Sequence, residues 1–397
     1  MATLQHVRDV LAKLVGFDTV SARTNLPLIE YVQAYLAELG VTHVTAMRSA
    51  DGIHANLMAT LPSADGSVEG GLILSGHTDV VPVDGQKWDS DPFVLTEREG
   101  NLYGRGSCDM KAFIAVCLAL VPEWVRSPLQ KPVQIVLTYN EETNFEGVRQ
   151  LMSERGGNLQ KCEGCIIGEP TMLNLVIAHK GIGSAYLTFK GKAAHSSLQN
   201  AGFNSIEPAT RVLQKLFEIR NRFAENGPFE EGFTITHTTV CPSLVTGGNA
   251  INTIPAECSI GFEFRNVPSH PASVINEEIW GFIGAETERV KLVCPEGGVE
   301  VVRRSAVEPF CGNKDASVVR ALLAANPEPQ EMTKVSFCTE AAEYQAAGIN
   351  SVVCGPGSIE QAHKANEFVS LDQLEKGLVV IRSAVQLMCG GTRASQL

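Results

Sequence analysis

The amino-acid sequence predicts an α/β fold with a mixed, largely parallel sheet that is flanked by helices. Three short apolar runs carry this prediction, at residues 71–74, 132–139 and 165–167. Their unbroken apolar character is typical of strands that are covered on both faces, as in parallel sheets. An apolar helical stretch at 112–120 separates the first two runs, and a histidine or glutamate follows each run within a few residues. Open α/β sheets bind ligands at the carboxyl ends of their strands, so we expect these polar groups to converge there.

Length and composition indicate a large globular protein. The chain has 397 residues, so we expect either a large core with an insertion or two domains in series. Apolar residues make up 44% and charged residues 19%, which excludes a disordered chain. The formal net charge of −12 argues against nucleic acid as a partner, because phosphate binding requires a basic face.

Nothing in the sequence indicates a membrane or secreted protein. No apolar run approaches the roughly 20 residues that cross a bilayer, and segment 1–6 lacks the charged and apolar regions of a signal peptide. We therefore expect a cytoplasmic protein that does not bind membranes. Eleven cysteines, an odd number spread over a long chain, favour reduced thiols over a disulfide framework. Cys162 and Cys165 form only half of a zinc or redox motif, and we interpret them as core residues.

The first 70 residues are interpreted as scaffold. Apolar residues at helical spacing predict two helices, and Gly40 supplies a stop for the second. Two strands are expected near 41–47 and 54–61, before the first ligand-bearing strand. The apolar positions are Leu4, Val7, Leu11, Leu14 and Val15 in the first helix and Leu28, Val32, Tyr35 and Leu36 in the second.

His77 and Asp79 follow the first buried run. In an extended chain residues i and i+2 point to the same side, so the two side chains can project together at the edge of the sheet. A metal site is the natural use of such a pair. The alternative is that His77 caps the strand and Asp79 opens a turn, and for a lone His-x-Asp motif that interpretation is the better one.

Further ligand-type residues downstream strengthen the metal hypothesis. Each comes just after a strand-like run or a glycine-rich turn, and oxygen and imidazole ligands together suit zinc or cobalt, whereas oxygen alone would have indicated magnesium or calcium. A carboxylate can bridge two cations about 3.5–4 Å apart, the role we assign to Asp109. Adjacent strand residues point to opposite faces, so we expect one of Glu141 and Glu142 to bind metal and the other to activate water. The downstream residues are Asp109, Glu141, Glu142, Glu169 and His363.

The glycines at 104 and 106 raise a different possibility, a dinucleotide-binding loop. The segment lacks the third glycine of that motif and a buried strand before it, so we reject this alternative. Each metal-ligand motif is weak evidence by itself. Five such sites in one chain predict a metal centre.

Residues 75–120 resemble the di-metal aminoacylase and deacetylase family of metallopeptidases. They contain Ser-Gly-His-Thr-Asp-Val-Val-Pro-Val-Asp-Gly-Gln-x-Trp and Leu-Tyr-Gly-Arg-Gly-x-Cys-Asp-Met-Lys. The likeness continues through 177–181, 190–197, 247–255 and 361–369, so it covers nearly the whole chain. Ala112 departs from the family, which has glycine there, but this position lies on the helix side and removes no ligand.

The resemblance implies two zinc ions per chain, with cobalt as the alternative metal. Asp79 would orient His77, and Glu141 would be the general base. The implied metal ligands are His77 and Glu169 for one ion, Glu142 and His363 for the other, and Asp109 as the bridge.

The resemblance also implies that residues 181–304 form a smaller α+β lid and dimerisation domain, inserted into a catalytic domain of residues 1–180 and 305–397. A homodimer through the inserted domain is therefore expected. His195 lies in a loop of this insertion, where the matched motif implies a catalytic role in stabilising an oxyanion. For this domain the sequence predicts strands at 184–189, 258–265 and 290–302 and a helix at 207–223.

The activity that the resemblance implies is release of acetate from a small N-acyl amino acid, N2-acetyl-L-ornithine, with a metal-bridging water as the nucleophile. Arg265 and Asn252 are candidates for binding the substrate α-carboxylate, since the arginine fork matches a carboxylate. A surface strand charge and a turn asparagine are the alternative interpretation of these two residues.

Three other functions stay open. One is removal of succinate from succinyl-diaminopimelate, which would need an extra cationic group, and another is a broad aminoacylase or dipeptidase activity. The third is binding of an amino-acid derivative without catalysis. The intact Glu141 argues against this function.

Overall fold

The computed structural model describes residues 1–328 and 331–390, which form two compact units. The sequence-based boundaries lie at 180/181 and 304/305, and no sequence signal marks the short segment that returns to unit 2 near residue 334. Unit 1 comprises Met1–Ile177, Cys311–Thr333 and Thr339–Leu397, and unit 2 comprises Ala178–Phe310 and Lys334–Cys338.

The strands alternate with helices along the chain. In chain order the strands are β1 (His43–Arg48), β2 (Ala55–Leu61), β3 (Leu72–His77), β4 (Thr96–Arg98), β5 (Asn101–Tyr103), β6 (Val133–Thr138), β7 (Gly164–Ile167), β8 (Leu175–His179), β9 (Gly181–Lys190), β10 (Ala194–His195), β11 (Thr239–Gly247), β12 (Thr253–Ile254), β13 (Glu257–Asn266), β14 (Gly298–Val307), β15 (Phe310–Cys311), β16 (Met332–Val335), β17 (Ser351–Val353) and β18 (Phe368–Ser370). The α-helices are α1 (Leu4–Val15), α2 (Leu26–Glu38), α3 (Lys111–Arg126), α4 (Glu146–Leu159), α5 (Ile206–Asn226), α6 (Ala272–Val293), α7 (Ser317–Ala325), α8 (Ala341–Ala346) and α9 (Leu371–Cys389), and short 3-10 turns occur at Gln199–Ala201 and Ile359–Gln361.

The main sheet has nine strands among the described residues, in the order β1-β2-β6-β3-β7-β17-β8-β15, with β16 paired to β8. Strands β6, β3, β7 and β17 are parallel neighbours, whereas β1, β2 and β6 pair antiparallel. The α/β prediction with a mixed, largely parallel sheet is confirmed at this centre. His77 lies opposite Thr138, and Ile167 lies opposite Ser75 and Val353, so the carboxyl ends of the four strands share one edge of the sheet.

Helix α3 explains why the predicted apolar stretch at 112–120 lacks a polar face. The helix packs against α1 and α9 and against β3, and residues 111–121 are buried without a break. Burying a large aliphatic side chain contributes about 1.5–3 kcal/mol, so this helix is a major source of stability for unit 1. Because the helix begins directly after Met110, its packing also fixes the turn that carries Asp109.

Unit 2 contains a four-stranded antiparallel sheet in the order β11-β13-β9-β14, with α5 and α6 packed on it. Alternate residues of β9 are buried, as expected for a sheet with one covered face. The predicted strand at 290–302 is wrong at its start, because α6 continues to Val293 and β14 begins at Gly298. Val290 is buried at helical spacing from Ile283 and Glu286, a pattern that short apolar runs do not distinguish from a strand.

No helix among residues 1–328 and 331–390 is both long and apolar enough to span a bilayer.

Candidate metal centre

The shared edge of the parallel strands collects three of the predicted ligands. His77 is the last residue of β3, Glu142 follows β6, and Glu169 follows β7. Glu169 can approach closely because Gly168 precedes it: a Cβ atom at residue 168 would lie within 2 Å of the Phe113 ring. Sheet register therefore places these side chains, as the sequence predicted for strand ends.

His77, Asp109 and Glu169 form the first set of side chains that could hold a cation, and we call it the buried ligand group. His77 and Glu169 are only 1% and 4% exposed. His77 Nδ1 donates to the backbone carbonyl of Asp79 at 2.9 Å, so the neutral ring has its lone pair on Nε2. That Nε2 lies 3.1 Å from Asp109 Oδ1 and 3.8 Å from Glu169 Oε1. A ring fixed in this way is what a metal-binding histidine requires.

Asp109, Glu142 and His363 form the second set, the exposed ligand group. His363 Nε2 lies 3.0 Å from Glu142 Oε2 and 3.5 Å from Asp109 Oδ2, and the His363 side chain is 55% exposed. Asp109 thus directs one carboxylate oxygen to each histidine. This geometry suits a carboxylate that bridges two cations.

The electrostatics of the five candidate ligands favour a bound cation. Burial and the nearby charge of Asp109 raise the pKa of Glu142 to about 7 and the pKa of Glu169 well above its usual value. Burial opposes ionisation of Asp109 as well, but hydrogen bonds from His363 and His77 hold the pKa of Asp109 below its usual range. Hydrogen bonds to Asp109 and Glu142 raise the pKa of His363 to about 10. Buried carboxylates this close together therefore favour a bound cation, which would compensate for their charge.

One atom tests directly whether the residues fit a cation. Glu169 Oε1 is buried and has no hydrogen-bond partner among the described residues. An unpartnered buried carboxylate oxygen is costly, because it has lost hydration without compensation. A cation held by His77, Asp109 and Glu169 would compensate for that loss, so the donor set fits a metal ion.

Asp79 contacts both His77 and the backbone of the two adjacent glutamates. Its backbone carbonyl, not its carboxylate, accepts the hydrogen bond from His77, and Asp79 Oδ1 lies 3.7 Å from the ring nitrogen. The carboxylate accepts instead from the backbone N–H groups of Glu141 at 3.1 Å and Glu142 at 3.2 Å. It also accepts from Ser21 Oγ at 2.6 Å. Asp79 therefore orients His77 as well as the two glutamates. Ser21, in the region that the sequence analysis interpreted as scaffold, supports Asp79 through its hydroxyl group.

Glu141 lies beside the two ligand groups. It is nearly buried, its backbone is held by Asp79, and its charge contributes to raising the pKa of His77. Asn140 before it has a φ of 55°, a left-handed conformation that asparagine tolerates and that ends the strand sharply. Glu142 Oε2 lies 3.0 Å from His363 Nε2, whereas the charge of Glu141 acts on His77, so the two adjacent carboxylates occupy different surroundings.

Sequence reasoning missed the residues that support the turn before α3. Gly106 in this turn has a φ of 78°, and a Cβ atom there would lie 2.7 Å from Val80, so glycine is required. Arg105 and Glu367 form a fully buried ion pair with an Nη1 to Oε2 distance of 2.6 Å. Glu367 follows His363 by four residues, which is the only signal that could have pointed to it.

In unit 2, His195 lies at the end of a two-stranded β10–β12 ladder beside Asn252. The backbone N–H of Ser197 donates to His195 Nδ1 at 3.2 Å, so the neutral ring carries its proton on Nε2. The Asn252 carbonyl accepts from Ser196 N at 2.9 Å. The exposed His195 therefore presents an Nε2–H donor.

Arg265 has a cationic neighbour in unit 2 that the sequence analysis did not identify. Arg265 pairs with Glu263 at 3.2 Å, and Lys180 is buried with its Nζ donating to the His237 carbonyl at 2.6 Å. Burial and the charge of Arg265 lower the pKa of Lys180 to about 8. Among the described residues Lys180 forms no ion pair with a carboxylate within 4 Å, so its ammonium group suits an anion.

Comparison with known sequences identifies relatives along the whole chain. The family described as peptidase family M20/M25/M40 matches residues 73–387. The acetylornithine deacetylase of Myxococcus xanthus is 36% identical over 98% of this chain and 99% of that protein. The acetylornithine deacetylase of Pasteurella multocida (strain Pm70) is 32% identical over 98% of this chain and 100% of that protein.

Solved structures share the fold. An M20 family metallo-carboxypeptidase from Sulfolobus solfataricus has a TM-score of 0.78 at 17% identity, covering 96% of this chain and 98% of that chain. A Bacillus subtilis protein described as a dinuclear metal binding peptidase from the M20 family has a TM-score of 0.63 at 13% identity, covering 97% and 98%. The family resemblance predicted from the sequence is confirmed.

Proposed function

This chain belongs to the peptidase family M20/M25/M40, and we propose that it hydrolyses N2-acetyl-L-ornithine to L-ornithine and acetate. Membership makes it a hydrolase of amides. The names of the curated relatives support the substrate, since they match nearly the full length. The observation that carries the chemistry is the pair of ligand groups that share Asp109, with Glu141 beside them.

We propose two zinc ions per chain, with cobalt as the alternative. The buried ligand group would hold one ion and the exposed ligand group the other, through nitrogen and oxygen donors that both metals accept. When bound, the ions would polarise the acyl carbonyl and lower the pKa of a water molecule between them.

Glu141 is proposed to move the proton. A carboxylate can take a proton from the attacking water and then deliver it to the leaving amine of ornithine. Its place supports this role, because Asp79 holds the Glu141 backbone while the neighbouring Glu142 faces His363. The two glutamates thus divide proton transfer and metal binding between them.

His195 is proposed to stabilise the developing oxyanion. The Nε2–H that the Ser197 contact leaves available is a suitable donor, and one oxyanion donor typically contributes about 10²–10³ in rate. We further propose that unit 2 mediates a homodimer and that His195 completes the active site of the second copy. All five proposed metal ligands belong to unit 1, whereas His195 belongs to unit 2.

The trans assignment can be tested by mixing two inactive variants. Heterodimers of His195→Ala and Glu141→Gln chains would contain one site without either group and one whole site. About a quarter of the parental activity should return, since half of the dimers are mixed and each has one whole site. Demonstrated subunit exchange without recovery would contradict the trans role.

Arg265 and Lys180 are proposed to bind the substrate α-carboxylate, with Asn252 as a further polar contact. The support is the pair of cations, one of them buried without a carboxylate partner within 4 Å among the described residues. An arginine fork matches the two oxygens of a carboxylate. Substituting Arg265 by Lys should therefore raise KM more than it lowers kcat.

The substrate proposal is tested by measuring acetate or succinate release from a panel of N-acyl amino acids. Acetylornithine should have the highest kcat/KM, and succinyl-diaminopimelate and dipeptides should be poor substrates. Chelation should abolish activity, and zinc or cobalt should restore it. A higher kcat/KM for the succinyl substrate would replace the proposed substrate, and full activity in metal-free protein would contradict the metal mechanism.

We also propose that the protein works in the cytoplasm. All eleven cysteines carry free thiols, which is typical of proteins in reducing compartments.

A further inference from the structure

Glu367 is a buried carboxylate that directly ligates neither proposed metal site. It is 1% exposed, and both of its oxygens accept two hydrogen bonds. Oε1 accepts from the backbone N–H groups of Cys108 and Asp109, both at 2.9 Å. Oε2 accepts from the backbone of Gly106 at 3.0 Å and from Arg105 Nη1 at 2.6 Å. The carboxylate of Glu367 therefore holds the backbone of the turn before α3 through hydrogen bonds.

Arg105 extends these contacts to the segment that carries His363. Its guanidinium donates to Gln86 Oε1 at 2.6 Å and to the Lys364 carbonyl at 3.3 Å. Gln86 Nε2 in turn donates to the His363 carbonyl at 3.0 Å. These polar links hold the backbone carbonyls of His363 and Lys364.

We propose that Glu367, supported by Arg105, is a positioning residue that sets the bridging carboxylate Asp109 and, through Gln86, the His363 backbone for both proposed metal ions. The inference rests on the proposed metal centre and deepens it. Asp109 and His363 are remote in sequence, and Glu367 contacts one of them while following the other by four residues.

The charge of Glu367 matters because all four of its partners are donors. A glutamine at this position would have the same shape but would turn an NH2 group toward N–H groups on one side, leaving donors buried without acceptors. The Arg105 guanidinium would also lose its buried counter-charge. The Asp109 backbone would then be free to shift, and a bridging ligand tolerates little displacement.

This geometry predicts a distinct pattern of metal loss. Glu142→Gln removes a ligand from the exposed ligand group alone, so one ion should weaken. Glu367→Gln acts through the shared Asp109, so the affinity for both ions should fall together. Loss of a residue that supports a ligand typically weakens metal binding by about 10–100-fold.

The experiment is titration of the metal-free full-length protein with zinc and with cobalt by calorimetry. The visible spectrum of the cobalt-loaded protein reports the coordination geometry. Glu367→Gln should weaken both binding steps by about 10–100-fold and change the spectrum. The matched control is Glu360→Gln, an exposed carboxylate on the same segment, which should match the parent. Arg105→Lys keeps a charge but not the fork, and should give a smaller loss at both steps.

The outcomes separate the inference from the metal proposal. If the parent binds no metal, the metal centre itself is wrong. If the parent binds two ions and Glu367→Gln binds both with parental affinity and spectrum, the positioning role is overturned. A lower unfolding temperature of the metal-free variant with unchanged metal affinity would also overturn it, because the role would then be structural only. Should Glu367→Gln fail to fold, the Arg105→Lys titration decides by the same criteria.

Discussion

The two ligand groups of the candidate metal centre are built by different means. The buried ligand group lies at strand ends inside a nine-stranded sheet, where His77 and Glu169 are fixed by register and by packing against α3. The exposed ligand group depends on a turn and a loop, which Asp79 and Glu367 hold through backbone N–H groups. Asp109 belongs to both.

The comparison shows that one site can contain ligands fixed by close packing and ligands placed by a few hydrogen bonds. Ligands inside a close-packed sheet cannot move without disturbing many neighbours. Ligands on a half-exposed loop are placed by a few hydrogen bonds, each with a net contribution of about 0.5–1.5 kcal/mol. We therefore expect substitutions in the buried ligand group to affect folding and metal binding together. Substitutions in the exposed ligand group should affect metal binding alone.

The largest effect is expected for Glu141, which lies beside both ligand groups. Glu141→Gln should lower kcat by about 10²–10⁴-fold while both metal ions stay bound, because an amide cannot accept the proton from water. The control is Glu142→Gln, which should bind one ion more weakly. Steady-state kinetics with elemental analysis measure both properties. Parental turnover by Glu141→Gln would remove the distinction between the two glutamates.

The second prediction compares the two histidines. His77→Ala should lower the free energy of unfolding of the metal-free protein by about 3 kcal/mol, since it leaves a cavity and unpaired buried carboxylates. His363→Ala should cost less than about 1 kcal/mol, because its side chain is 55% exposed. Urea unfolding in the presence of chelator measures both values. Equal losses would mean that the two groups are not held differently.

The third prediction concerns Glu340, a buried acid that belongs to neither ligand group. Burial raises the pKa of Glu340 from its ordinary value of 4.5 to about 7, so the folded protein binds this proton more tightly than the unfolded chain. The resulting stabilisation is complete below pH 4.5 and is lost as pH rises through 7, on the order of 3 kcal/mol. Glu340→Gln should therefore flatten the stability profile of metal-free protein over this window.

Unfolding measured from pH 4.5 to 8 tests the role of Glu340. Glu360→Gln, at an exposed carboxylate, should keep the parental slope. If Glu340→Gln has the same slope as this control, Glu340 does not carry the pH dependence.

The smallest effect on metal binding is expected at Ser21, which holds Asp79 from the N-terminal region. Ser21→Ala removes one hydrogen bond to a charged group and should cost about 1.5–3 kcal/mol at most. It should also weaken the ion of the exposed ligand group slightly, because Asp79 holds the Glu142 backbone. Ser67→Ala, in an exposed turn, is the control. A loss of metal affinity confined to the buried ligand group would contradict this link from Ser21 through Asp79 to Glu142.

The ligand types and their strand-end positions could be predicted from the sequence. His77 and Glu169 follow short, continuous apolar runs, which are typical of buried strands, and parallel strands place their carboxyl ends at one edge. The apolar stretch at 112–120 likewise predicted a helix, observed as Lys111–Arg126. These features depend on local patterns, which a sequence displays directly.

Only the tertiary structure revealed Ser21, Arg105 and Glu367 as supports of the site. Ser21 lies 58 residues from Asp79, and Glu367 lies 258 residues from the Asp109 backbone that it holds. It also showed which atom of Asp79 contacts His77, the backbone carbonyl. The sequence by itself determined which residues could bind metal, because side-chain chemistry and strand periodicity are local. The fold alone decided which groups hold them, because a hydrogen bond to a backbone N–H leaves no signature in residue type.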